Sequence, residues 1–239
     1  MKKQAPFFKS KAIFFAVLFS VFLFNLNAQT IPPTNTGTCT KCTPPGWLIV
    51  SGSTDISNTT NWGGLNGFPW IGTVSRPPNG HNTFVTGFTG FFFEEIATNI
   101  TGLTVGEEFT VEFYAAQLRS SAAGGTPDTS FAGILLIADG TIYDGTGNAL
   151  HTHTFTANSN NWDTVSFTFI ATAKTQRLHF AFSNASSAVG GNFWNISFDA
   201  DSITGPPPQP PLTNFMRHGK YFMNGDEKGM YFGKSNGGN

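Results

Sequence analysis

The amino-acid sequence predicts an all-β protein built as two packed antiparallel sheets. Three observations carry this. Four stretches alternate apolar and polar residues with period two, glycine and asparagine punctuate the chain between them, and nothing after residue 28 repeats its apolar residues with the period of a helix. Composition agrees: 26 of 239 residues are phenylalanine and 27 are glycine. Phenylalanine and threonine suit strands, whereas glycine and asparagine suit turns.

From the N-terminus, Lys2, Lys3, Lys9 and Lys11 precede an apolar run, Ala12 to Phe24, in which Ser20 is the one polar residue. Asn25-Leu26-Asn27-Ala28 follows. This order predicts a secretory signal peptide over residues 1–28 and a mature chain from Gln29, secreted or held at the cell surface. The run is short for a bilayer, which takes about 20 residues, and no second one follows, so no transmembrane segment is expected. Charged residues make up 11% and the net charge is −1. That leaves no basic patch for a nucleic acid.

Residues 29–46 form a Thr/Pro-rich lead-in carrying Cys39 and Cys42 in Cys-Thr-Lys-Cys. In an exported chain a small disulfide loop is the expected state. A redox-active pair would open a helix in a βαβ unit, but Thr43-Pro44-Pro45-Gly46 follows; zinc would need two further ligands nearby.

The strand-forming core spans 47–204. Phe109, Val111, Phe113 and Ala115 alternate with Thr110, Glu112 and Tyr114. Val165, Phe167 and Phe169 alternate with Thr164, Ser166 and Thr168; Leu178, Phe180 and Phe182 with His179 and Ala181; Ile196 and Phe198 with Asn195, Ser197 and Asp199. Alternate side chains of a strand face opposite sides, so each run has an apolar face to bury. Phe113, Phe167 and Phe180 are expected at the centre, where truncation to alanine costs about 3–5 kcal/mol. Residues 205–211 are a stiff polyproline linker. The tail, 212–239, has two aromatic-rich runs flanking Asn224-Gly225, a hairpin signal. Such a hairpin is marginal alone, so it is expected either to dock on the sandwich or to be read by an envelope protein as an attachment element.

Three segments carry a resemblance. Leu103-Thr104-Val105-Gly106 feeds a strand ending Phe113-Tyr114-Ala115-Ala116; Trp162 leads into Val165-Ser166-Phe167-Thr168-Phe169; and Asn195-Ile196-Ser197-Phe198-Asp199-Ala200-Asp201-Ser202-Ile203 closes the core. Together they resemble galactose-binding-like jelly-roll domains, a superfamily of carbohydrate-binding modules and extracellular adhesive domains. The resemblance implies a jelly-roll β-sandwich over about 47–204 and a structural Ca2+ to which Asp199 and Asp201 would supply oxygens. The chain departs from the pattern at its opening, Pro44-Pro45-Gly46-Trp47, which lacks the family's acidic residue, and calcium takes six to eight oxygens.

Sugars present apolar faces, so modules that bind them pair aromatic rings with amide, carboxylate or guanidinium groups on loops above a rigid scaffold. The 61–82 segment has that composition, and Trp62, Trp70, Arg76, Asn79 and His81 are its candidate ligand-binding residues. The competing reading has both tryptophans plugging the end of the sandwich. Glu94 and Glu95 are neighbours on a strand, face opposite ways, and make no acid/base pair. His151 and His153 share a strand face but would need a third ligand to hold a metal, which leaves an exposed Thr/His face. Arg217-His218-Gly219 follows the proline spacer with no later histidine, unlike a phosphohistidine site. The sequence thus predicts a non-catalytic module that binds a glycan or envelope polysaccharide. The alternative is a structural or adhesive module engaging a protein partner through its tail.

Overall fold

A computed structural model describes residues 29–63, 68–88, 93–120, 127–184 and 191–206, and the backbone of two strands at 221–226 and 229–234. The expected signal peptide, most of the polyproline linker and Arg217-His218-Gly219 lie outside the described residues. The chain divides into two units, Met1–Pro206 and Pro207–Asn239.

Among the described residues the first unit contains eleven strands: β1 (Trp47–Ser51), β2 (Asp55–Asn58), β3 (Thr83–Phe88), β4 (Glu95–Thr101), β5 (Glu108–Arg119), β6 (Ile134–Ala138), β7 (Ala149–Thr154), β8 (Asp163–Ile170), β9 (Thr175–Phe182), β10 (Asn192–Ser197) and β11 (Ile203–Thr204). They form two antiparallel sheets. The first runs β1-β4-β9-β6-β7. The second runs β11-β5-β10-β3-β2, with β8 also paired to β5.

The period-two alternation builds the interior. Phe109, Val111, Phe113 and Ala115 from β5, Val165, Phe167 and Phe169 from β8, and Leu178, Phe180 and Phe182 from β9 all join one buried cluster. Phe113 stacks on Phe198 at 4.4 Å and meets Phe180 edge-on at 5.8 Å. The three predicted central phenylalanines are 1%, 6% and 0% exposed (Phe113, Phe167, Phe180). Trp194 of β10 lies across Gly87 of β3, where a Cβ would come within 2.1 Å of the indole ring, so only glycine fits beneath it.

Several alternating strands are nevertheless buried on both faces. His179 and Ala181, on either side of Phe180, are buried with it, and so are Asn195 and Ser197. Loops cover the outer faces. On the first sheet, Glu95 accepts the amide N–H groups of Ile142 (3.0 Å) and Tyr143 (2.8 Å) and meets His179 Nδ1 at 2.6 Å, which pins the 139–148 loop across β4 and β9. Glu94 accepts from the amides of Ser53 (3.1 Å) and Phe88 (2.7 Å). Both glutamates are therefore buried, each fastening backbone.

The lead-in is extended and packed. Thr30 pairs with Thr101, Ile31 is buried, and Trp47 Nε1–H donates to the Pro32 carbonyl at 2.9 Å. Cys39 and Cys42 are disulfide-bonded. The loop they close pairs with the free edge of β2 through reciprocal bonds between Cys39 and Ile56, and the Lys41 amide donates to Asp55 at 2.7 Å. An open sheet edge is a template for aggregation, and this loop covers one.

Where β7 meets β8, His153 Nε2 lies 2.9 Å from Asp163 Oδ2, and His151 stacks on Phe167 at 5.6 Å. The exposed Thr/His face expected there is corrected in its histidines: both are half-buried, because the seam between the sheets takes them in. Burial first, then the neighbouring His153, holds the His151 imidazole below its ordinary range.

In the second unit, β12 (Tyr221–Asp226) pairs antiparallel with β13 (Gly229–Lys234). The pairing runs through Asn224 and Gly225, opposite Tyr231 and Met230, and reverses between Asp226 and Gly229. The Asn-Gly dipeptide that marked the turn in the sequence therefore stands within β12.

Candidate functional site

One edge of β5 is shared by two strands. β10 pairs with Tyr114–Arg119, and β11 pairs with Thr110 and Val111. Between them, residues 199–202 loop away from the sheet, held by the Asp199 amide donating to Ser202 Oγ (2.9 Å) and by the Glu112 amide donating to the Ser202 carbonyl (2.9 Å). The outer face of β5 beneath this loop carries Thr110, Glu112 and Tyr114, the polar half of its alternation. The result is an open cleft of about 330 Å³ lined by Thr110, Glu112, Tyr114, Asp199, Asp201, Ser202 and Thr204. Glu112 and Asp201 are exposed, and Tyr114 and Asp199 are half-buried.

The 61–82 segment reaches this cleft at one end only. His81 Nε2 lies 2.7 Å from Asp199 Oδ1, and its Nδ1 lies 3.1 Å from Ser197 Oγ. Asn79 Nδ2–H donates to the same hydroxyl at 3.1 Å. A serine, a histidine and an aspartate in sequence of contact invite comparison with a nucleophilic triad. Ser197, however, is 0% exposed, and no substrate reaches its hydroxyl. The arrangement ties the end of the loop to β10 and orients Asp199 at the rim of the cleft.

The rest of the segment packs. Trp70 is 7% exposed; its indole N–H donates to the Asn58 carbonyl at 2.8 Å, and its ring meets Phe84 at 6.5 Å and Phe193 at 5.5 Å. Trp62 lies half-buried against Phe193 at 5.1 Å. Trp162 meets Phe84 edge-on at 4.9 Å, and its N–H donates to the Ser75 carbonyl at 2.9 Å. Together with Val74, Ala116 and Leu118 these rings make a second core on the outer face of the second sheet. This corrects the expectation that Trp62 and Trp70 offer ring faces to a ligand. The outer face of β3, β5 and β10 is apolar at that end, and the tryptophans supply the area that covers it. Arg76 is exposed. Of the five candidate residues, Asn79 and His81 are thus brought together beside the cleft, and Arg76, Trp62 and Trp70 do not line it.

Asp199 and Asp201 both line the cleft. Among the described residues no three His, Cys, Asp or Glu side chains come together as a metal-binding set, and Asp199 already answers His81. Sequence reasoning missed Thr110, Glu112, Tyr114, Ser202 and Thr204. Their signal was present as the polar half of the β5 alternation facing the closing segment, but only the sheet order puts those two stretches together.

No protein-family model matches the chain, and no curated protein matches it. Among solved structures it is similar to the K1 cleaved adhesin domain of Lys-gingipain from Porphyromonas gingivalis W83, at 12% identity and a TM-score of 0.43 over 72% of this chain and 95% of that one. It is similar to TmCBM61, solved in complex with β-1,4-galactotriose, at 11% identity and a TM-score of 0.38 over 74% of this chain and 94% of that one. The enzymatically active domain of bacteriophage CBA120 tailspike protein 4 gives 12% identity and a TM-score of 0.39; the match covers 68% of this chain and 19% of the tailspike chain.

Proposed function

We propose that this chain is a secreted or cell-surface, non-catalytic carbohydrate-binding module whose glycan site is the cleft on the outer face of β5. The observation that carries this reading is the chemistry of the lining: one aromatic ring, Tyr114, among three hydroxyls and three carboxylates on a rigid strand and its closing loop. Ionised carboxylates accept hydrogen bonds from neighbouring sugar hydroxyls, threonine and serine both give and accept them, and a tyrosine ring suits the apolar face of a pyranose. A volume of about 330 Å³ falls at the small end of the usual range for ligand pockets, about 300–1,000 Å³.

Binding without catalysis is supported by where burial acts. A general acid needs its pKa raised by its surroundings. Burial raises Asp55 to about 6 and also raises Glu94, but these two hold backbone amides and are not among the residues that line this cleft. Glu112 and Asp201, which do line it, are exposed to water.

The test is titration of the exported protein with a panel of neutral oligosaccharides, followed by calorimetry on Glu112→Gln, Tyr114→Ala and Trp70→Ala. Binding should fall at least tenfold in each of the first two, with unfolding midpoints unchanged. Trp70→Ala should instead lose stability, by about 3–5 kcal/mol. A glycan that binds Glu112→Gln and Tyr114→Ala as tightly as the parent, or a folded protein that binds no member of the panel, would remove the cleft from consideration.

A further inference from the structure

His81 holds the rim of the cleft through a network that works in two directions. Its Nε2 lies 2.7 Å from Asp199 Oδ1, and its Nδ1 lies 3.1 Å from Ser197 Oγ. The same hydroxyl lies 3.1 Å from Asn79 Nδ2 and 3.3 Å from Asn79 Oδ1. With the imidazole neutral, Nε2–H donates to Asp199 and Nδ1 accepts the Ser197 O–H, whose oxygen accepts from Asn79 Nδ2–H. With the imidazole protonated, Nδ1–H donates to Ser197 Oγ instead, and the hydroxyl turns its own hydrogen to Asn79 Oδ1. A backbone amide or carbonyl at Nδ1 would suit one of these states only. A hydroxyl that can rotate suits both, and Ser197, at 0% exposed, finds its partners within the protein in each.

A proton on His81 therefore costs the loop none of its contacts, but it changes what Asp199 presents. A neutral imidazole leaves the carboxylate its full charge. An imidazolium at 2.7 Å makes an ion pair with it and draws that charge away from the cleft. Asp199 lines the cleft together with Glu112 and Tyr114 of β5 and with Asp201. Arg76, on the same segment as His81, is exposed and is not among the lining residues. We infer that His81 is a positioning residue whose proton sets the strength of the cleft: glycan affinity falls as the imidazole gains its proton, while the loop stays tethered. The inference rests on the cleft being the glycan site. The other two ion-pairing histidines act elsewhere, His153 on Asp163 and His179 on Glu95, and none of these four lines the cleft.

The experiment has two arms, both on the exported protein between pH 5 and pH 8, the range in which histidine is the side chain suited to change charge. In the first, NMR of the 13C,15N-labelled protein follows the His81 ring and the Asp199 carboxyl carbon. The two should titrate together, and the amide protection factors of residues 79–82 should stay within about twofold. A ring that keeps one charge throughout, a carboxyl carbon that ignores the ring, or protection that falls tenfold on protonation would overturn the inference. In the second arm, cellotriose, maltotriose and β-1,4-galactotriose are titrated by calorimetry at pH 8 and pH 5. A trisaccharide that binds at pH 8 should bind at least threefold more weakly at pH 5. His81→Gln, which keeps an N–H for Asp199 and cannot titrate, should give one Kd at both. Should that variant not fold, Asp199→Asn removes the charge that the imidazolium pairs with and should flatten the profile in its place. Parent affinity that is equal or tighter at pH 5, or an equal fall in the variant, sinks the inference and leaves the cleft standing. No binding of any of the three by the folded protein at either pH removes the cleft as the glycan site, and this inference with it.

Discussion

At the scale of single residues, burial sets the behaviour of Asp55. It is 5% exposed and accepts the Lys41 amide at 2.7 Å, yet the loss of water outweighs that bond and raises its pKa from 3.8 to about 6. A group whose folded pKa lies above its unfolded value stabilises the fold fully below the unfolded pKa, and that contribution is lost as pH rises through the folded one. Asp55 therefore favours the folded state below about pH 4, and this advantage disappears between about pH 4 and pH 6. Asp55→Asn keeps an oxygen for the Lys41 amide and removes the titration. Its stability relative to the parent should rise across that window by on the order of 2 kcal/mol, with allowance for solvent screening. Urea unfolding of both proteins at pH 4 and pH 7.5 measures this, and a difference that does not change with pH would show that Asp55 titrates normally.

At the scale of elements, the 61–82 segment has two jobs that its composition does not separate. Its first part is a hydrophobic cover, fixed by Trp70 and Trp62 on Phe193 and Phe84. Its last part is a polar tether, fixed by Asn79 and His81 on Ser197 and Asp199. The two parts should respond differently to mutation. Replacing Asn79 and His81 together by alanine should raise amide exchange in residues 79–82 at least tenfold, while lowering global stability by no more than about 2 kcal/mol, the scale of two partly exposed hydrogen bonds. Unchanged exchange by mass spectrometry would mean that the cover, not the tether, holds this end. The sequence displayed the tryptophans and the histidine in one Gly/Pro-rich stretch. It did not display the apolar outer face of Phe84, Ala116, Leu118 and Phe193 that decides which of them is buried.

At the scale of the whole molecule, residues up to Pro206 fall in one compact unit. The lead-in contributes: Thr34 receives the Phe198 amide on its hydroxyl (2.9 Å) and donates its own amide to the Phe198 carbonyl (3.1 Å). Residues 29–206, expressed without the tail, should unfold in a single cooperative urea transition, with a stability within about 0.5 kcal/mol of the longer chain. A broad or early transition would show that residues after 206 stabilise the sandwich. A start at Trp47 should be far less stable, because it removes Ile31, Thr34 and the disulfide loop that pairs with β2.

The strands β5, β8 and β9 were legible because each keeps an apolar side for the interior, and a strand's two-residue period writes that side directly into the sequence. β3 and β6 were not. Thr83–Phe88 and Ile134–Ala138 carry apolar residues on both sides, because loops as well as the opposing sheet cover them, and burial on both faces erases alternation. The Cys39–Cys42 loop could be expected from two cysteines in an exported chain; its pairing with β2 could not. The sequence by itself determined the all-β class, the phenylalanine interior and the segment that supplies Asn79 and His81. Only the tertiary structure decided that Trp70 is covered and that Glu112 and Tyr114 line one cleft with Asp199 and Asp201. Class follows from local periodicity, which a linear chain records. A site forms between residues far apart in sequence, and which of them meet depends on sheet order and on how the loops cover each face.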